Sequence, residues 1–183
     1  MPHIKVVTDS ACDLPESLLS QLEVSVVPHS LRWSGDDAPA LDLTPNQVAE
    51  RMRVAPADWP VVEAPDMEEL TRLYRSLRDT CDGILSVHVS SKISETYANA
   101  VSAREVFGPM GQGGPFPIAV VDSFQASMRM GWMVLALAQM AVDGADLPRL
   151  AGRAKRLTEH CHFAFFTEPA QGLQRAGRVV RNT

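Results

Sequence analysis

Cysteine is scarce in this sequence, with only Cys12, Cys81 and Cys161 among 183 residues. They lie far apart, are odd in number and form no Cys-x-x-Cys. A disulfide framework is excluded, and reduced thiols in a cytoplasmic protein are expected. Long apolar runs are also lacking. The longest, Met130 to Val142, is interrupted by Gly131 and Gln139 and is too short to span a bilayer, so no stable membrane insertion is expected. The start, Met-Pro-His-Ile-Lys, has no apolar signal-peptide core. Net positive charge is missing too: the formal sum is −5, which speaks against nucleic acid as a partner. There is no Gly-x-Ser-x-Gly elbow, no Gly-Lys-Ser/Thr phosphate loop and no internal repeat.

What is present is an ordinary globular composition, 45% hydrophobic and 21% charged. A chain of this length suits one domain or slightly more, and buries roughly 70% of its unfolded surface. The charge is uneven. Residues 149–183 carry seven Lys/Arg against Glu159 and Glu168, so a basic tail sits on an acidic body. Solvated helix faces explain this; an acidic partner is the sharper alternative.

Strand and helix patterns alternate. Ile4–Val7 reads as a strand ending at Thr8-Asp9-Ser10. Asp13 with Glu16 offers a helix cap ahead of Leu18, Leu19 and Leu22. Val24–Leu31 reads as one strand, bent or placed at an edge by Pro28. Ser34–Pro39 reads as a polar loop and residues 53–65 as another. Thr44-Pro45-Asn46-Gln47 and Asp66 with Glu69 are helix starts. Ile84–Val89 and Ile118–Val121 are strands; Glu95–Phe107, Met128–Val142 and Leu147–His160 are helices; Phe163–Phe166 is a last strand. Gly108–Pro117 is a linker. Strands separated by helices pair in parallel through right-handed crossovers. The expected fold is therefore α/β, an open and mainly parallel sheet with helices on both faces.

Three strand ends carry hydroxyls: Thr8-Asp9-Ser10, Ser90-Ser91 with Ser94, and Asp122-Ser123 with Ser127. Open parallel sheets bind ligands beyond the strands' carboxyl ends. Each turn feeds a helix, so free N–H groups and a positive dipole end add to the hydroxyls. Such a patch suits a carboxylate or phosphate, although helix capping accounts for any single turn. Asp9 and Asp122 would repel an anion unless they hold the turns by accepting backbone hydrogen bonds. No further ligand accompanies them at metal spacing. His160-Cys161-His162 would alternate faces on a strand and does not converge on zinc. His88, inside a strand, reads as a packed or hydrogen-bonded histidine. Met128, Met130, Met133 and Met140 with Trp132 read as helix core, or as a soft apolar wall for a ligand.

In five segments the sequence resembles the DegV family. They are Val7-Thr8-Asp9-Ser10-Ala11-Cys12-Asp13-Leu14-Pro15, Val26-Val27-Pro28, Ser90-Ser91-Lys92-Ile93-Ser94-Glu95-Thr96-Tyr97, Asp122-Ser123 with Ser127 and Gly131, and Gly172-Leu173-Gln174-Arg175-Ala176-Gly177-Arg178. Their order and spacing match along essentially the whole chain. The resemblance implies a protein that holds a long-chain fatty acid non-covalently in a tunnel between two domains. It implies presentation of the carboxylate to an ATP-dependent acyl kinase, with no catalytic residue, cofactor or metal of its own. Ser94 matches the family's carboxylate-binding serine. Thr8, Asp9, Ser10, Ser90, Ser91, Asp122 and Ser123 fall around the head group. Residues 1–160 would form the α/β domain and 161–183 an incomplete start of the second, the family's proteins continuing well past the Gly-Arg motif.

Two departures stand out. Where the family has a Thr-Ser-Gln-Pro-Ser segment, this chain has Val62-Glu63-Ala64-Pro65-Asp66, and Glu95 replaces a motif glycine. Two other readings stand beside this one, and the departures favour the second. One is an enzyme acting on a small phosphorylated or carboxylated metabolite, with Asp9 or Asp122 as base or metal ligand. The other is a degenerate family member that binds no ligand and forms a homodimer through an apolar face.

Overall fold

The structure, a computed structural model, describes residues 2–34, 36–39, 43–55, 58–107 and 116–160. Its elements are β1 (Ile4–Asp9), α1 (Glu16–Gln21), β2 (Ser25–Val27), β3 (Ser30–Trp33), β4 (Asp36–Pro39), α2 (Pro45–Val54), β5 (Val61–Glu63), α3 (Met67–Leu77), β6 (Gly83–His88), α4 (Thr96–Phe107), β7 (Ile118–Asp122), α5 (Ser127–Val142) and α6 (Leu147–His160). The described residues fall into two compact units. One holds Met1–Val27 with the stretch from Pro65 onward, the other Pro28–Ala64.

The first unit is the α/β sheet that the strand–helix alternation implies. Its strands run in the order β2-β1-β6-β7, all parallel. The alternation of strand side chains sorts the core into two layers. Ile4 and Val6 of β1 with Leu85 and Val87 of β6 face α5 and α6, meeting Met130, Val134, Leu137 and Leu150. Val7 and Ile84 face the other way, onto Leu70 and Tyr74 of α3 and Ala100, Ala103 and Phe107 of α4. Helices therefore cover both faces. Met130 and Met133 are buried in this core, whereas Met128 and Trp132 lie on the exposed side of α5.

The chain leaves β1 toward β2 and later returns to the opposite side of β1 with β6. The switch point of the sheet thus lies between the carboxyl ends of β1 and β6, where open α/β sheets place their crevice. Gly131 sets how closely α5 approaches that end. A Cβ there would stand 2.5 Å from the Cys12 carbonyl oxygen, so only glycine lets the helix lie against the turn after β1.

Two helix starts form as their sequences require. Thr44 and Gln47 close a reciprocal capping box on α2, and Asp66 and Glu69 close one on α3. Asp13 does not cap a helix. It stands at φ 52°, just after a 3-10 turn at Ser10–Cys12, and α1 begins at Glu16 behind Pro15 with no side-chain cap.

The second unit departs from the expected loops. Val24–Leu31 is not one strand: β2 and β3 are separate, with Pro28 and His29 between them. Proline lacks the N–H that a continuous ladder needs. Residues 36–39 and 61–63 are strands β4 and β5, each antiparallel to β3. Within this unit the Arg32 guanidinium lies 2.7 Å from the Glu63 carboxylate, and the Arg51 guanidinium stacks 4.3 Å from the Trp33 ring centre. Gly108–Pro115, His160-Cys161-His162 beyond its first residue, the strand expected at Phe163–Phe166 and the second domain expected from residue 161 lie outside the described residues. Among the described residues, no helix is long and apolar enough to cross a membrane.

Candidate functional site

Parallel pairing brings the ends of β1, β6 and β7 side by side. Thr8 stands opposite Val87, and His88 opposite Asp122. The three hydroxyl-bearing turns therefore open at one edge of the first unit, and two aspartates stitch them together.

Asp9 is fully buried at the end of β1. Its Oδ1 accepts the Ala11 N–H at 3.1 Å. Its Oδ2 accepts the Val89 N–H at 2.9 Å and faces His88 Nδ1 at 3.1 Å. One carboxylate thus binds the turn after β1 to the turn after β6. Asp122 does the same for the next pair. Its Oδ1 accepts the Phe124 N–H at 2.9 Å, and its two oxygens lie 3.2 and 3.3 Å from the Ser91 N–H. Both carboxylates receive N–H donors, the arrangement that relieves a negative charge at an anion site. The exit from β7 is tightly wound. Phe124 and Ser127 adopt φ of 52° and 54°, left-handed values costly for residues with side chains. The Asp122 and Ser123 side chains accept the backbone N–H two residues on, from Phe124 and Gln125, and hold this turn.

The hydroxyls divide by exposure. Ser123 is fully buried, and its Oγ donates to the Gln125 carbonyl at 3.2 Å and accepts the Gln125 N–H at 3.0 Å. Ser90 is buried, and its Oγ accepts the Lys92 N–H at 3.3 Å. Ser94 is half-buried; its Oγ lies 2.8 Å from Thr96 Oγ1 and accepts the Thr96 N–H at 3.3 Å, at the first turn of α4. Ser10 is half-buried and Ser91 exposed. Thr8 is wholly buried, and its Oγ1 has no hydrogen-bond partner among the described residues. Ser10, Ser91 and Ser94 thus reach solvent, while Asp9 and Ser123 act inside the wall that carries them.

Below Asp9 the polar contacts continue inward. His88 Nε2 lies 2.7 Å from Ser86 Oγ, and Ser86 Oγ lies 2.8 Å from the Tyr74 hydroxyl. All four residues are buried. Burial pushes the Tyr74 hydroxyl up to about 12, against smaller lowering by the Ser86 hydrogen bond and Arg104. Burial likewise pushes the Cys12 thiol beside the turn up to about 11. Aspartate, histidine and serine in series have a hydrolase's inventory, but this serine is sealed in the sheet. Among the described residues no three His, Cys, Asp or Glu side chains cluster as a metal site.

Ser86, Tyr74, Thr96 and Gln125 escaped the reading of the sequence. Ser86 and His88 share a strand face, which their spacing shows. The approach of Tyr74 from α3 is a tertiary fact with no local mark. Glu95 projects into solvent, and Glu63, in the second unit, is paired with Arg32.

The comparisons agree with this architecture. A family model described as "Uncharacterised protein, DegV family" matches residues 3–183. A DegV domain-containing protein of Mycobacterium bovis is 30% identical over 179 residues, 96% of this chain and 59% of the relative. One from Listeria innocua is 28% identical over 178 residues, 96% of this chain and 60% of the relative. The chain thus spans about three-fifths of the length of these relatives. A fatty-acid-binding DegV family protein from Thermus thermophilus superposes with a TM-score of 0.80 at 30% identity, over 97% of this chain and 60% of that one. The Bacillus subtilis DegV structure, at 21% identity, gives 0.83 over 97% and 61% and shares the fold. With its sheet, its hydroxyl turns and a match that runs nearly end to end, the chain belongs to the DegV family.

Proposed function

We propose that this chain is a lipid-binding protein that holds a long-chain fatty acid non-covalently, with the carboxylate at the crevice beyond β1, β6 and β7. The observation that carries the reading is the convergence of three hydroxyl turns at the sheet's switch point, in a fold shared with the T. thermophilus fatty-acid-binding protein. Ser94, Ser91 and Ser10 are the head-group donors in this reading, and Thr8, wholly buried, lies in the wall behind them. Ser90, Asp9, Asp122 and Ser123 shape the turns that present them. The chain's part is binding and presentation: it has no catalytic residue, and an ATP-dependent acyl kinase consumes the exposed carboxylate. No cofactor and no nucleic acid enters. The setting is the cytoplasm, in keeping with free thiols at Cys12 and Cys81.

The test is extraction and titration. Protein purified from cells, denatured and analysed by mass spectrometry should release fatty acid, and delipidated protein should take up oleate. Ser94→Ala removes a hydrogen bond to a charged head group and should weaken oleate by about tenfold. Neither release nor uptake would leave the degenerate, non-binding reading standing. Uptake that Ser94→Ala does not change would move the head group elsewhere.

A further inference from the structure

The contacts below Asp9 form a continuous line from α3 to the crevice. Tyr74 Oη, Ser86 Oγ, His88 and Asp9 follow one another at 2.8, 2.7 and 3.1 Å. The direction of this line is constrained by chemistry. An ionised carboxylate has no proton to give, so His88 Nδ1 donates to Asp9. In the neutral ring, Nε2 then has only a lone pair to offer, and Ser86 donates to it. The Ser86 oxygen in turn accepts from Tyr74, whose burial keeps the phenol protonated.

We propose that Tyr74, Ser86 and His88 are positioning residues for the head-group crevice: a directed relay that holds the His88 ring in place, and through it the Asp9 carboxylate that joins two of the three turns. Asp9 Oδ2 faces His88 Nδ1 and the Val89 N–H together, while Oδ1 holds the Ala11 N–H. Val89 directly precedes Ser90-Ser91, and Ala11 directly follows Ser10. A ring that changed tautomer would present a lone pair to the carboxylate, and a ring that turned over would present a C–H in place of the N–H. The carboxylate would rotate away, and the Ser10 and Ser90 turns would lose their common anchor. The relay runs from α3 into the sheet and is wholly buried, so its effect on binding is indirect. Its role in binding rests on the fatty-acid reading; its role in holding the turns does not.

The test uses Ser86→Ala and Tyr74→Phe in the delipidated chain, with two readouts. The first needs no ligand. Long-range ¹H–¹⁵N spectra of the His88 ring should show Nδ1 protonated and Nε2 bare in the wild type. Ser86→Ala leaves the Nε2 lone pair without a donor, so it should shift the ring ¹⁵N signals, loosen the ring and speed the hydrogen exchange of the Ala11 and Val89 amides. Tyr74→Phe keeps the ring packed and removes one oxygen, so it should shift the same signals by less; it carries the test if Ser86→Ala fails to fold. A wild-type ring protonated only on Nε2, or variant spectra and exchange rates equal to the wild type's, would overturn the relay. The second readout is binding of the fluorescent fatty acid cis-parinaric acid. Affinity should fall about tenfold in Ser86→Ala and about threefold in Tyr74→Phe. Unchanged affinity beside a disturbed ring would overturn the positioning role. A wild type that binds no probe would refute the fatty-acid reading, while ring spectra and exchange rates still decide the relay.

Discussion

The approach of α5 to the turn after β1 can be tested with one methyl group placed at two positions. At Gly131 a Cβ would lie 2.5 Å from the Cys12 carbonyl oxygen and 3.1 Å from Leu14 Cδ2. A carbon settles at about 3.5 Å from a neighbour, so helix or turn has to give by ~1 Å. The obstacle is backbone, which cannot swing aside, so the cost falls at the upper end of overpacking, ~3 kcal/mol. Alanine's better helix propensity returns ~1 kcal/mol. Gly131→Ala should therefore destabilise by ~2 kcal/mol, lowering Tm by roughly 4–8 °C for a chain of this size. Gly152 in α6 supplies the opposite case. A Cβ there meets only the Arg156 Nη1 at 4.0 Å, the mobile end of a long side chain. The propensity term then stands alone, and Gly152→Ala should raise Tm by roughly 2–4 °C. Both are read by thermal melts followed by circular dichroism. A Tm for Gly131→Ala equal to or above the wild type would show that the close approach does not constrain α5. Gly131→Ala should also displace the Ser10–Cys12 turn and weaken oleate, which Gly152→Ala should not.

Other expectations follow from single contacts. Asp66→Ala opens the capping box on α3 and should cost ~1 kcal/mol, seen as a lower urea midpoint with an unchanged slope. Cys12 is buried and its thiol is pushed from 9.0 to about 11 by burial first, with Asp9 and Asp13 adding to it. The folded state therefore keeps a proton that the unfolded chain releases. This contribution to stability is complete below pH 9.0 and is lost as pH rises toward about 11. Urea midpoints across that range should fall more steeply in the wild type than in Cys12→Ala. At neutral pH the Cys12 thiol should react with an aromatic disulfide far more slowly than the same residue in the unfolded chain.

The elements whose marks are local were legible beforehand. Thr44 with Gln47 and Asp66 with Glu69 are capping boxes in the sequence and in the fold. The runs before Thr8, Ser90 and Asp122 are the parallel strands β1, β6 and β7. His88 is the hydrogen-bonded interior histidine that its place in a strand suggests. The failures have non-local causes. β4 and β5 are short, and the stretch holding β4 is rich in Asp and Pro; they become strands because β3 offers an edge on each side. Asp13 has the spacing of a cap, but the turn from β1 needs a left-handed residue there. Aspartate tolerates that conformation better than most residues. The line from Tyr74 to Asp9 joins three elements, and no window of sequence contains it.

Two carboxylates beside a proposed carboxylate site look self-defeating, and magnitudes show why they are not. A unit charge ~8 Å from another at an effective dielectric of ~20 repels it by ~2 kcal/mol. Asp9 does not act as a bare charge: the Ala11, Val89 and His88 N–H groups point their positive ends at it. Asp122 is similarly engaged by Ser91 and Phe124. Glu95 stands in solvent, where screening removes most of its effect. Each hydrogen bond to an ionised head group returns ~1.5–3 kcal/mol, so two hydroxyl donors match or exceed one residual repulsion. In the proposed reading, burial of an acyl chain would add ~0.8 kcal/mol per methylene, and over a long chain this would be the largest quantity of the three. The proposed head-group site would then have to orient the carboxylate rather than to supply affinity. Hydroxyls on turns held by Asp9, which is buried, and Asp122, which is half-buried, suit that task, because they fix direction.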